Sequence, residues 1–179
     1  METRNLIIRP TLFKDISLFA EWEKRPEVNR FFAINDDKSY EETVTDFIRG
    51  KDDPTKLFLT ITHKPSNEPI GRVILTRIDK EYDSMDITKI YIADPKNRNK
   101  GYGTEALRVL LEYGFVQMHM ERITIDHFLA NKEAAYLYDK LGFQPEGIMR
   151  NACKKNGKYY DLRLLSMIRA EYPGSDYER

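Results

Sequence analysis

Between Asp94 and Phe115 the chain reads DPKNRNKGYGTEALRVLLEYGF, and Arg98, Lys100, Gly101 and Gly103 crowd the entrance to a helical apolar stripe. Glycine weakens the helix it precedes, so its place there needs another reason. A turn that aims several N–H groups at one point ahead of a helix cradles an anion, and glycine lets the anion approach without a Cβ in the way. Arg98 and Lys100 add the positive charge that a pyrophosphate calls for. The competing reading is a solvated glycine loop; the coincidence of cations, glycines and a helix start favours a diphosphate seat.

Two other phosphate motifs are weighed against it. No Gly-Lys-Ser/Thr of the Walker type occurs. GYGTEA fits the dinucleotide pattern G-x-G-x-x-A, with Asp126 at the end of the next strand where a ribose-binding acid belongs. In that motif, however, the glycine turn follows its strand at once, whereas DPKNRNK intervenes here, and the strands before it form a meander.

Among residues able to react, Tyr138 shares a helix face with Ala134, Leu137 and Leu141 and looks inward. On the residues alone it is either a proton donor or a packed tyrosine. Asn131 is a helix cap that can also touch a ligand amide. Cys153 lacks a nearby histidine in sequence, although Lys154 and Lys155 are placed to lower its pKa. There is no G-x-S-x-G, so no covalent nucleophile stands out. His63, His119 and His127 have no ligand spacing, and no metal site is expected.

The elements that must position these groups follow from periodicity. LIIRPT (6–11) predicts a strand, and the spacing of Ile16, Phe19, Ala20 and Glu23 predicts a helix over 14–24, ended by Pro26. Ser39 and Glu42 form a capping-box pattern opening a helix that Gly50 stops. KLFLTITH, IGRVILTRID and MDITKIYIAD predict an antiparallel meander. A stripe from Leu107 to Met118 then leads into the strand RITIDHF, the strand–helix–strand order of a right-handed parallel crossover. A short helix over 132–141 lies between Asn131 and Gly142. A closing hairpin, 147–154 with 158–169, turns at Asn156-Gly157, and the tail from about 172 to 179 is expected to be loose.

The 179 residues suit one α/β domain spanning 1–179. Lysines plus arginines equal aspartates plus glutamates at 29 each, so no overall field favours a nucleic acid or an acidic membrane. One cysteine cannot form an internal disulfide, which favours the cell interior, and no apolar stretch approaches the length of a membrane span. The expectation is a soluble, cytoplasmic protein with neither nucleic acid nor membrane as partner.

Together these pieces resemble a known family. RNKGYG (98–103) resembles the Q/R-x-x-G-x-G/A signature of the GNAT superfamily of N-acetyltransferases, and NKEAAYLYDKLGF resembles its N-x6-Y-x3-GF segment. IIRP and RPEVNRFF near the start, and PEGIMRNACKKNGKYYDLRLLSM near the end, extend the likeness to the Rim-type ribosomal-protein and spermidine acetyltransferases.

The resemblance implies a mixed, mostly antiparallel sheet with a splayed parallel strand pair and helices on both faces. It further implies acetyl-CoA as co-substrate, a primary amine as acceptor (a protein N-terminus, a polyamine or a small amine), and room for a homodimer. Pantetheine would pair with backbone at Ile90, Tyr91 and Ile92, and the diphosphate would sit on Arg98, Asn99, Lys100, Gly101, Tyr102, Gly103 and Thr104. Asn131 would contact the pantetheine arm and Tyr138 would return a proton to the thiolate. Where related enzymes often place a glutamate this chain has Thr88 and Lys89, which leaves the base unassigned, with Asp86 or a water chain as substitutes. Asn99 replaces a frequent glycine, which asparagine's tolerance of left-handed backbone permits. The alternatives are a coenzyme-A-binding sensor without turnover and a nicotinamide enzyme.

Overall fold

Alternating buried and exposed positions build seven strands into one sheet, and longer apolar periods build five helices that cover it. The computed structural model describes residues 1–174. In chain order the elements are β1 (Leu6–Pro10), α1 (Ile16–Trp22), α2 (Pro26–Asn29), α3 (Tyr40–Gly50), β2 (Leu57–His63), β3 (Glu68–Asp79) and β4 (Ser84–Ile92). There follow α4 (Tyr102–Glu112), β5 (Arg122–Phe128), α5 (Lys132–Leu141), β6 (Gln144–Lys155) and β7 (Lys158–Ile168). The sheet order is β1-β2-β3-β4-β5-β7-β6. Every neighbouring pair is antiparallel except β4 and β5, as the meander and crossover patterns required.

Two apolar clusters hold the layers. On one face Leu107, Leu110 and Leu111 of α4 pack on Val73, Ile87 and Ile125. On the other, Phe19 and Trp22 of α1 and Phe47 of α3 pack on Tyr91 and Ala93. Both capping-box hydrogen bonds of α3 form, Glu42 N–H to Ser39 Oγ at 3.1 Å and Ser39 N–H to Glu42 Oε2 at 2.7 Å. The β6–β7 turn has left-handed φ at Asn156 (48°) and Gly157 (80°), as a two-residue hairpin demands.

Four local expectations are revised. Pro26 begins α2 at its first position, where the missing N–H costs nothing, besides ending α1. The stripe after β4 runs through α4 into a π-helical turn over Tyr113–Gln117. There a Cβ on Gly114 would lie 2.5 Å from Met85 Cε and 2.6 Å from Ile123 Cδ1, so any larger residue would have to displace those side-chain ends for the turn to rest on the sheet. Strand β6 starts earlier than predicted, at Gln144. The tail is anchored at its start, since the Tyr172 ring stacks on Phe115 with centroids 5.1 Å apart; residues 175–179 lie outside the described residues.

Candidate active site

The parallel pair is short. Ser84–Ile87 run beside Arg122–Ile125, and there the pairing stops. The cause lies on the other edge of β4, where the register to β3 skips Thr88, pairing Ile74 with Lys89 and Leu75 with Ile87. A bulged residue bends its strand, whereas β5 stays straight on β7 as far as Phe128 opposite Leu162. The strands therefore fork, and the fork opens into a cavity of about 570 Å³.

Peptide groups line the β4 side. Ala93 N–H donates to Ile70 on β3 at 2.8 Å, and the two-residue alternation of a strand turns Tyr91's peptide group the same way. Ile90 and Ile92 therefore face the fork, and the Ile92 carbonyl accepts Arg98 Nε at 3.1 Å. The Tyr91 side chain is buried on the far face, its hydroxyl donating to Glu23.

The glycine stretch caps α4. Glu105 N–H is bonded to Gly101 O, so the N–H groups of Tyr102, Gly103 and Thr104 have no partner within the helix and point toward the fork with the positive end of the helix dipole. Gly101 takes φ 82° with nothing within 4 Å of a built Cβ, and Asn99 takes φ 58°, the left-handed geometry its residue type allows. Gly103 is less constrained, since its Cβ would make an ordinary 3.7 Å contact with Leu137. Lys100 is exposed. Arg98 is tied down by carbonyls, donating through Nη2 to Glu27 O at 2.9 Å as well as to Ile92, so its side chain locks the loop to the strand end while lining the cavity. Tyr102 directs its hydroxyl to His63 Nε2 at 3.2 Å.

From α5, Asn131 accepts Ala134 N–H at 3.1 Å, capping the helix at the cavity wall. Tyr138 is buried against His127 and Phe143 and also lines the cavity. Burial, and secondarily the charge of Asp126, push its phenol well above the ordinary tyrosine range, so it stays protonated. The His127 ring Nδ1 lies 2.8 Å from Phe128 O, which fixes the proton on that nitrogen. His127 Nε2 is buried with no partner among the described residues.

Sequence reasoning missed one acid on the cavity wall. Asp126, read only as the ribose acid of a rejected motif, stands on β5 just past the fork and lines the cavity. Burial first, then the nearby Asp86 charge, raise its carboxyl to about 6, against a weak opposing effect of Arg77. Asp86, the substitute base suggested by sequence, is fully engaged by Thr88 and Thr124 at 2.8 Å each and by Arg77 at 3.0 Å. Lys89 turns away from the fork into a buried cluster with Glu23. Cys153 is not activated: burial and Asp126 raise its thiol, while Lys154 lies over the Tyr159 ring and Lys155 bonds to Asn29. The doubly wound sheet that a dinucleotide fingerprint needs is absent from the seven-stranded order.

These features fit a coenzyme A thioester: unpartnered N–H groups for a diphosphate, a strand edge for an amide-bearing arm, and a protonated phenol at the fork. A family model described as an acetyltransferase (GNAT) domain matches residues 5–144. An uncharacterized N-acetyltransferase, p20, from Bacillus licheniformis is 27% identical over 176 residues, spanning 96% of this chain and 97% of that protein. A spermidine N(1)-acetyltransferase from Vibrio cholerae is 28% identical over 103 residues, 58% of each chain. The crystal structure of spermidine N-acetyltransferase from Vibrio cholerae in complex with CoA and spermine superposes with a TM-score of 0.85 at 20% identity, covering 95% of this chain and 99% of that one. The chain thus belongs to the GNAT family and is an N-acetyltransferase of the kind that uses acetyl-CoA, similar to spermidine N(1)-acetyltransferases and to a protein of Bacillus subtilis named as a putative ribosomal N-acetyltransferase, 31% identical over 104 residues, 58% of this chain and 56% of that one.

Proposed function

We propose that the protein moves an acetyl group from coenzyme A directly to a primary amine, with Asp126 taking the amine proton and Tyr138 supplying a proton to the departing sulfur. The observation that carries this is the convergence of the α4 N-terminus, Asp126 and Tyr138 on one cavity at the β4–β5 fork. Acetyl-CoA, when bound, supplies an activated acyl carbon on a sulfur leaving group. The N–H groups of Tyr102, Gly103 and Thr104 hold the diphosphate, and the outward peptide groups of Ile90 and Ile92 orient the arm and stabilise charge on the acyl oxygen.

Asp126 is suited to its part. A carboxyl at about 6 is a better proton acceptor than an ordinary aspartate by about 2 units, or about 3 kcal/mol. It remains ionised at neutral pH and attracts an ammonium, which gives up one proton to solvent to become the neutral amine that attacks. The amine nitrogen becomes strongly acidic as it bonds to the acyl carbon, and Asp126 takes the released proton. Tyr138, kept protonated by its burial, donates in the opposite direction.

Amine acetylation by a small-molecule enzyme accords with the spermidine acetyltransferases among the relatives. The test is release of free thiol from acetyl-CoA across a panel of primary amines. Amine-dependent thiol is expected; saturable coenzyme binding with no amine-dependent thiol would reduce the protein to a binding module.

A further inference from the structure

The acceptor side of the cavity carries a chemistry of its own. Away from the α4 cradle its lining includes Phe31, Phe32, Phe128 and Leu162 together with Asp126. The charge next to these rings is positive. The Arg30 guanidinium lies 4.3 Å from the centre of the Phe31 ring, and the Lys89 ammonium 5.7 Å from that of Phe32. Behind Phe32, Lys89 shares the single Glu23 carboxylate with Arg72, so two cations face one anion. Two further acidic residues line the cavity and neighbour the groups assigned to the coenzyme: Glu27, whose backbone carbonyl holds Arg98, and Glu133, in the first turn of α5 after the Asn131 cap.

The wall is also built in advance. The loop bearing Phe31 and Phe32 is pinned from behind by the β6–β7 hairpin: Asn156 N–H donates to Asn35 Oδ1 at 2.8 Å, Asn156 Nδ2 to Asp36 Oδ2 at 2.7 Å, and Lys155 Nζ to Asn29 O at 2.8 Å. Phe128 is braced by Tyr160 with ring centroids 5.2 Å apart. A polyamine carries a further ammonium every three or four methylenes, and each needs its own carboxylate once desolvated. Here the first ammonium finds Asp126, and the second meets aromatic rings already facing cations.

We propose that the acceptor is a primary amine bearing one positive charge on an aromatic or branched apolar body, and that polyamines are poor acceptors. The proposal rests on the transferase reading above. It sets this chain apart from the spermidine enzymes to which it is related. The same chemistry is offered by a free arylalkylamine and by a polypeptide N-terminus with an aromatic first residue.

Calorimetric titration of the coenzyme-A-saturated protein decides it, with 2-phenylethylamine, a phenylalanine-initiated tripeptide amide and spermidine as probes. At least one of the two aromatic probes should bind about tenfold more tightly than spermidine, the size of one well-packed aromatic contact. A tighter peptide identifies a chain terminus as the source, and a tighter free amine identifies a small molecule. Phe31→Ala should weaken the preferred aromatic probe about 5- to 10-fold and leave spermidine within about twofold. Spermidine binding as tightly as either aromatic probe, no binding of either aromatic probe, or an equal loss for all probes in Phe31→Ala, overturns it. Thiol release measured on the same samples judges the transferase reading separately: binding in the expected order without turnover would sink that reading and leave only an amine-binding preference.

Discussion

Two carboxylates, one buried at the end of α1 and one half-buried on β5, have opposite fates. Glu23, at the end of α1, is pushed up by burial, but the charges of Lys89 and Arg72 outweigh that and hold it below the ordinary glutamate range. Its Oε1 accepts Arg72 Nη1 at 2.7 Å, Lys89 Nζ at 3.0 Å and the Tyr91 hydroxyl at 3.2 Å. Asp126 has no such escort; burial and Asp86 act together, and its carboxyl rises to about 6. A paired buried charge holds elements together, here α1 to β3 and β4. An unpaired one at a cavity is available for a proton or an ammonium. Lys89 belongs to the first kind of site, and Asp126, on β5, to the second.

Breaking the first site should have the largest effect. Glu23→Gln leaves Arg72 and Lys89 both buried and uncompensated, which costs about 3–5 kcal/mol. Denaturant unfolding should show the loss, and a change under about 1 kcal/mol would mean that the cluster carries no net stability. Breaking the second should act on rate. Asp126→Asn keeps the shape but cannot take a proton, so kcat/KM should fall on the order of 100- to 1,000-fold. The wild-type profile should also rise through an inflection near pH 6 that the variant lacks, because only the ionised carboxyl accepts a proton. Retention of that inflection in Asp126→Asn would assign it elsewhere.

The two sites were unequally legible in the sequence. Local signals carried the frame: the Ser39/Glu42 box, Asn156-Gly157, and the change from strand to helical period at the glycine stretch all describe neighbours in sequence. The acid of the site depends on distant partners. Nothing in RITIDHF states that Asp126 loses its β4 neighbour because Thr88 bulges one strand away, nor that Asp86 is satisfied by Thr124 across the sheet. Glu23 likewise reads as the end of an amphipathic helix until Arg72 and Lys89, 49 and 66 residues on, are seen beside it. Arg98 could be placed at the site from its spacing, but not its bond to the Glu27 carbonyl 71 residues away.

Tyr138 sharpens the comparison at smaller amplitude. It is buried against the His127 and Phe143 rings with one nearby negative charge, and burial first, then that charge, make the phenol a weaker acid than in water. Against a thiol near 8.5 the transfer already costs about 2 kcal/mol at reference values, and burial widens that gap. Its contribution should therefore be below that of Asp126, and Tyr138→Phe should lower kcat on the order of 10- to 100-fold with coenzyme affinity within about twofold. Equal loss of coenzyme affinity and turnover would make Tyr138 a packing residue.

The smallest effect separates function from stability at Asp126 itself. Its folded carboxyl titrates near 6 and an unfolded aspartate near 3.9, so between about pH 4 and 6 the folded chain holds a proton that the unfolded chain has released. Stability is then greatest below about pH 4 and declines as the pH rises through 6. The full shift corresponds to about 3 kcal/mol, and because the half-buried residue lines an open cavity about 1–2 kcal/mol is the expected share. Asp126→Asn removes the titration, so it should be the more stable protein at pH 8 by that amount and equal to wild type near pH 4. Thermal unfolding at the two pH values should show a gain of about 2–8 °C at the higher one only. A variant that is less stable than wild type at pH 8 would show that the Asp126 charge has a partner, and would remove the ground for treating it as the free carboxylate of the site.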